Sequence, residues 1–366
     1  MINIIYTVLS VSIISAFLAA VIVIAEKYFN NYGQCEIDIN DGSKKISVQG
    51  GSSLLSSLAS AKIFIPSACG GKATCGLCKV IVKNGAGSLL PTEEPYLSKE
   101  EINSGVRLSC QIKVKSNMKI LIPEELFSIK LFKARIEKIT QLTHDIKEFR
   151  LSLIEPDAIS FKAGQYVQIS TKPYGKVTES VTRAYSISSV PSQSNIIELI
   201  IRLVPGGICT TYYHNIAKEG DEIALSGPYG DFFLRDDAKD IVFIAGGSGL
   251  APIKSMILDI IEKGLDINML FFFGAVSLRD LYYDDFFRAI EEEHPKFTYI
   301  PCLSMPLPED EWNGEKGLVT EVFERHVSNG TGKHAYLCGS PGMINACLAS
   351  LKNKGFKEEN IFYDKF

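Results

Sequence analysis

Three cysteines crowd into ten residues of this chain, Cys69, Cys75 and Cys78, in the stretch SACGGKATCGLC that begins at Ser67. A fourth, Cys110, stands apart in Arg107-Leu108-Ser109-Cys110-Gln111. Thiolates bind soft metals, and four of them can hold a [2Fe–2S] cluster, two to each iron. A loop that supplies three ligands must turn repeatedly and aim backbone N–H groups at sulfur, and Gly70, Gly71 and Gly76 give it that freedom. Four cysteines can also make a structural zinc site, but such sites favour paired C-x2-C knuckles. This chain has one such pair and a lone fourth cysteine, which favours iron and sulfide.

Two further groups of residues suit phosphates and aromatic rings. Arg183-Ala184-Tyr185-Ser186 reads as a strand end fit for a flavin. The Tyr185 ring can pack on the isoalloxazine, the Ser186 hydroxyl can bond near N5, and Arg183 can neutralise pyrophosphate. Downstream, Gly206-Gly207-Ile208-Cys209-Thr210-Thr211 is a glycine turn entering a helix, and Gly207 and Thr210 are expected to meet phosphate there. Gly227-Pro228-Tyr229-Gly230 then closes the block. A third block opens with Phe243-Ile244-Ala245-Gly246-Gly247-Ser248-Gly249, a strand running into a glycine turn. Gly246, Gly247 and Gly249 let a dinucleotide pyrophosphate sit against the helix that follows.

These motifs need elements to carry them. The chain has 366 residues, 46% of them hydrophobic, enough for several cores. Its 38 basic and 42 acidic residues leave a net charge of −4, which gives no argument for nucleic-acid binding. Residues 34–124 read as a small α+β domain, with a hairpin around Asn40-Asp41-Gly42 and a helix over 54–61. Residues 130–235 show short β-rich runs at regular spacing, the mark of a barrel or sandwich. In 236–366, apolar strands at 240–245, 269–274 and 335–339 alternate with helices at 252–263 and 343–352, which predicts a parallel sheet covered on both faces. Residues 1–28 differ in kind: 4–25 are uncharged and long enough to cross a bilayer, with no basic residue before them. They predict a single membrane anchor, with the other domains on the cytoplasmic side of the cell membrane.

The cysteine block resembles a plant-type [2Fe–2S] ferredoxin of β-grasp fold. That family uses C-x4-C-x2-C, whereas five residues fill the first gap here. The next two blocks, in this order, resemble the ferredoxin-NADP reductase superfamily: an antiparallel β-barrel for FAD, then a Rossmann-like NAD domain. In that family a C-G-x-x-x-M turn, here Cys338, Gly339 and Met343, lies beside the nicotinamide, and a terminal aromatic, here Phe366, covers the flavin. The five-residue gap together with an anchor resembles the F-subunits of sodium-translocating NADH:quinone reductases. The resemblance implies a relay from NADH through FAD to the cluster, and on to quinone by way of other membrane subunits. Ser277 and Arg279 could be read as a 2′-phosphate site, but the arginine is compatible with NADH in that family. One departure matters: the F-subunits carry an extra stretch after R-A-Y-S, but here 16 residues separate Ser189 from Gly206. That is closer to the reductase components of multicomponent oxygenases, so an anchored reductase feeding an oxygenase is the second reading. The third is a tethered metal-binding scaffold, against which the glycines and the R-x-Y-S motif speak. Cys35, Cys209, Cys302 and Cys347 are expected to be packing residues.

Overall fold

In Gln34–Ile39 every second residue is apolar, and Cys35, Ile37 and Ile39 turn inward as β1. Asn40 and Asp41 both take φ of 52°, so the chain doubles back into β2 (Lys44–Gln49). The computed structural model describes residues 6, 11–21, 32–67, 69–127 and 129–365. It divides into two compact units, 1–129 and 130–366.

In the first unit, Ser53 caps α1 (Leu54–Ser60), its hydroxyl accepting from Ser56 N at 3.1 Å, and Leu54 and Leu58 are buried. β3 (Lys79–Asn84) leaves the cysteine loop, and α2 (Lys99–Asn103) leads into β4 (Val106–Leu108) and then β5 (Met118–Leu121). The sheet order β2-β1-β5-β3-β4, with β1 and β5 parallel and α1 packed on it, is the ferredoxin-type fold expected from the sequence.

A buried ion pair holds this unit's loops. Glu93 is fully buried and Arg107 nearly so. Arg107 Nε donates to Glu93 Oε1 at 3.0 Å and Nη2 to Oε2 at 2.5 Å. The guanidinium's remaining donors reach Gly87 O at 3.0 Å and Ser88 O at 2.9 Å. The carboxylate also accepts from Leu108 N at 2.9 Å and Leu90 N at 3.1 Å. Every charge is therefore paired and bonded, the condition under which a buried pair holds its place. It fixes the strand that runs into Cys110.

In the second unit six antiparallel strands come first: β6 (Lys130–Gln141), β7 (Ile146–Glu155), β8 (Tyr166–Ser170), β9 (Thr182–Ser186), β10 (Ile196–Arg202) and β11 (Glu222–Tyr229). Their order is β10-β7-β6-β11-β8-β9, and a bridge from Ile187 to Leu199 joins the two edges into a barrel. α3 (Ile208–Asn215) enters its core through Cys209, Tyr212 and Tyr213.

The rest is a parallel sheet of β12 (Asp240–Gly246), β13 (Asn268–Ala275), β14 (Phe297–Leu303), β15 (Glu315–Lys316), β16 (His334–Gly339) and β17 (Ile361–Lys365). Its order is β15-β14-β13-β12-β16-β17. Phe243, Phe271 and Tyr336 face one core with α4 (Leu250–Glu262) and α5 (Asp284–Glu293). Val242, Phe272 and Leu337 face another with α6 (Val319–His326) and α7 (Pro341–Asn353). Two apolar faces per strand account for the continuous apolar runs. Helices α5 and α6 go beyond the elements expected from the sequence. α5 begins after Tyr283, a left-handed residue whose side chain makes no cap hydrogen bond, so its start lacks a capping signal in the sequence.

The anchor expected within 4–25 lies in large part outside the described residues. Residues 11–21 are helical and exposed throughout. Among the described residues no helix is long and apolar enough to cross a membrane.

Burial raises the Glu93 pKa, but Arg107 and the two backbone N–H groups outweigh it and hold it below the usual carboxylate value. This stabilisation is present above that value and is lost as pH falls through the depressed one. Arg107→Ala should therefore cost about 3–5 kcal/mol by stranding a buried carboxylate. In denaturant titrations of the full chain followed by circular dichroism, the midpoint should drop at neutral pH. The gap from the unaltered protein should close in strong acid.

Candidate functional site

The four cysteines are set by short-range structure. Gly70, Gly71 and Gly76 have φ of 64°, 86° and 68°, and Ala73 joins them at 55°. Gly76 has a second constraint, since a Cβ there would lie 2.9 Å from the Tyr96 ring. Ser67 anchors the loop by accepting from Gly71 N at 3.0 Å. Ser109 N donates to Cys78 O at 2.8 Å, which brings the Cys110 strand alongside the loop.

The thiols stand as two pairs. Cys75 Sγ is 3.4 Å from Cys69 Sγ, and Cys78 and Cys110 interact closely enough to shift each other's pKa. Burial raises the Cys69 pKa, but the Thr74 N–H and the Cys75 thiol bring it down to about 7. The Cys78 thiol holds Cys110 at about 6, while burial pushes Cys75 up and Cys110 together with burial pushes Cys78 up. A [2Fe–2S] cluster takes two thiolates on each iron. The Ser109 hydroxyl is buried and without a hydrogen-bond partner, a donor that a ligated sulfur can satisfy.

On β9, Arg183 and Tyr185 share one face, and Ser186 lies opposite Tyr166 on the other. Tyr185 packs on the barrel core, in which Cys209 is buried as a packing residue. Burial pushes both hydroxyl and thiol pKa values up, keeping both groups protonated. Gly207 begins α3 with no side-chain cap, so the helix start is open to phosphate. Thr210 is differently employed: its hydroxyl accepts from Val204 N at 3.2 Å and donates to Gly207 O at 3.3 Å, closing its own turn. Beside Ser186, Gln168 keeps a buried amide nitrogen with no partner, a donor that a flavin can satisfy.

The third constellation lies where β12 and β16 run side by side, with β13 beyond β12 and β17 beyond β16. In open α/β sheets, ligands bind at the carboxyl ends of such strands where the order reverses. Gly246, Gly249, Cys338, Gly339 and Met343 meet there. A Cβ on Gly249 would run into the Cys338 carbonyl and lie 2.8 Å from Gly339 N. One on Gly246 would lie 2.7 Å from Met343 Sδ. Cys338 is fully buried, and burial holds its thiol neutral. Phe366 lies outside the described residues.

Several contributors were invisible in the sequence. Arg202, at the end of β10, places Nη1 3.5 Å from where a Gly247 Cβ would stand, a cation beside the glycine turn. Asp145 holds it at 2.7 Å, and Tyr282 donates to Gly247 O at 2.8 Å. At the end of β13 the reading of Ser277 as a phosphate ligand meets an obstacle. Asp280 Oδ2 accepts from Ser277 N at 3.0 Å and from its hydroxyl at 2.8 Å. Asp310 Oδ2, from a later loop, takes Leu278 N at 3.1 Å.

Three family models match in succession: a 2Fe-2S iron-sulfur cluster binding domain over 37–115, an oxidoreductase FAD-binding domain over 133–234, and an oxidoreductase NAD-binding domain over 243–348. The F-subunit of the Na(+)-translocating NADH-quinone reductase of Neisseria meningitidis is 36% identical, with 97% of each chain covered. That of Actinobacillus succinogenes is 37% identical over 95% of each. The chain belongs to the F-subunits of Na(+)-translocating NADH-quinone reductases. Both alignments, over 395 and 390 positions, exceed this chain's 366 residues, so these relatives carry residues it lacks. Among solved structures, the Amycolatopsis cytochrome P450 reductase matches with a TM-score of 0.74 and 28% identity, covering 91% of this chain and 98% of its own. The ferredoxin reductase of a carbazole 1,9a-dioxygenase shares the fold, with a TM-score of 0.69, 24% identity, and coverage of 91% of this chain and 98% of its own.

The Gly249–Cys338 approach leaves no space for a methyl group. Gly249→Ala should cost about 2 kcal/mol or more through forced backbone movement. Purified with FAD bound, this variant should show flavin that NADH reduces far more slowly, as stopped-flow bleaching would record.

Proposed function

We propose that this chain oxidises NADH as the electron-input subunit of a membrane quinone reductase, with Gly246, Gly247, Gly249 and Arg202 receiving the dinucleotide and Cys338, Gly339 and Met343 flanking its nicotinamide. Arg183, Tyr185, Ser186, Gly207 and the α3 start hold FAD, and Cys69 with Cys75 and Cys78 with Cys110 hold the two irons. When bound, FAD supplies the conversion from a two-electron hydride to single electrons, which the cluster carries onward. The protein's own work is placement. Glycines let backbone meet phosphate, Tyr185 offers an aromatic face, and Cys338 gives a small neutral wall. No side chain here needs to move a proton.

The observation that carries this reading is the likeness of nearly the whole chain to its F-subunit relatives, in one order of modules. The uncharged stretch at 4–25 supports an anchor, as does the exposure of Val11, Ile13, Phe17 and Leu18, apolar side chains with no protein cover. Quinone, sodium and the partner subunits come from the relatives' name. The second reading, a reductase feeding an oxygenase, draws on the likeness to the P450 reductase. Gentle detergent purification from native membranes separates them. Polytopic partners with sodium-stimulated NADH:quinone activity support the first, and a soluble oxygenase partner the second.

The turn after β13 favours NADH over NADPH. Its hydroxyl and two amides are already bound to the Asp280 and Asp310 carboxylates, which repel a 2′-phosphate. Asp310→Asn keeps an acceptor at Leu278 N and removes the charge. It should raise the NADPH-to-NADH ratio of kcat/KM by about tenfold, which corresponds to roughly 1.4 kcal/mol.

A further inference from the structure

Helix α4 starts at the glycine turn, and its second turn carries a buried lysine. Lys254 is 5% exposed, and its ammonium lies 3.1 Å from Glu148 on β7 and 3.1 Å from Glu198 on β10. Tyr283, just before α5, donates to the same Glu148 at 2.7 Å and lies 3.4 Å from Lys254 Nζ. Arg150 closes the network on Glu198 at 2.7 Å. The next residue, Ser255, is fully buried, and its hydroxyl donates to Ser189 O at 2.6 Å.

These bonds reach one segment. Ser188 and Ser189 continue directly from Tyr185 and Ser186, and Ser188 N donates to the carbonyl of Glu198, the residue Lys254 grips. Ser189 Oγ accepts from Glu198 N at 3.1 Å. Of two consecutive residues of α4, Ser255 thus binds the continuation of the strand assigned to the flavin directly, and Lys254 binds it through Glu198, whose backbone pairs with that segment. An ordinary packed helix face would need neither, since burying a lysine is costly unless every partner is in place.

We propose that Lys254 and Ser255 are positioning residues for hydride transfer, fixing the helix that receives the dinucleotide phosphates to the strand that holds the flavin ring. The proposal rests on the placement of NADH and FAD given above. The reaction itself is unchanged: a hydride leaves the dihydronicotinamide C4 for flavin N5, so NADH loses two electrons and the flavin gains them. The clamp sets how closely the two atoms meet. Misplacement of about 1 Å by a residue remote from the chemistry can cost about a hundredfold in rate.

The test uses the full chain with FAD bound, in the unaltered protein and in Lys254→Met, Lys254→Arg and Ser255→Ala. Saturating NADH is mixed in a stopped-flow instrument, and both flavin bleaching and the long-wavelength charge-transfer absorbance are followed. Amide exchange is measured without nucleotide. Lys254→Met should slow bleaching about tenfold or more at saturating NADH and weaken the charge-transfer band, with NADH affinity changed less than about threefold. Amide exchange should rise together in 187–189 and 250–255. Lys254→Arg, which keeps a cation within reach of both carboxylates, should recover most of the rate. Ser255→Ala removes no charge and keeps the proposal testable if Lys254→Met fails to fold; it should slow bleaching about threefold at unchanged affinity. Full-rate bleaching in Ser255→Ala and in a folded Lys254→Met would overturn the proposal. So would a slow Lys254→Arg with exchange raised in α4 alone. If NADH fails to bleach the unaltered protein's flavin, the cofactor placement itself is wrong.

Discussion

The reductase unit is organised by a contact that leaves no room for a side chain. Gly249 packs against the carbonyl of Cys338, and Gly246 against Met343. Two motifs about ninety residues apart thereby become one surface, because β12 and β16 are parallel neighbours with Ala245 opposite Cys338. A Cβ at Gly249 would force the helix start and β16 apart, whereas one at Gly246 would displace the Met343 side chain. The parallel order of the sheet, the dinucleotide turn and the buried thiol all depend on that approach.

Legibility in the sequence follows range. The cysteine loop, the R-A-Y-S strand and the glycine turn are local, and each was readable because its chemistry needs particular residue types at fixed spacing. The parallel sheet was readable because two buried faces leave no alternation along its strands. Contributors brought in by tertiary packing were not. Arg202 ends a barrel strand, Asp310 lies in a loop after β14, and Lys254 looks like any helix surface residue until Glu148 and Glu198 fold over it. Thr210 was readable as a polar group near phosphate, but its hydroxyl closes the turn that presents the helix. Cys209 read as a packing residue, and α3 buries it in the barrel core.

The two units solve the burial of charge in the same way at different scales. Arg107 and Glu93 tie two loops within the ferredoxin-type unit, and Lys254 with its carboxylates ties a helix to a barrel. In both, hydrogen bonds satisfy the ions from several sides, which gives a defined geometry where apolar packing alone would allow sliding.

The Arg107–Glu93 network bears on how the iron centre is assembled. Many small metal domains take shape only as the metal binds, since nothing else holds their ligands together. Here Glu93 accepts from Leu108 N while Arg107 secures Gly87 and Ser88, so the approach to Cys110 is held by protein bonds alone. The place of Cys110 is thus set by the carboxylate and guanidinium that organise the loops around it, as well as by the cluster it is assigned to hold.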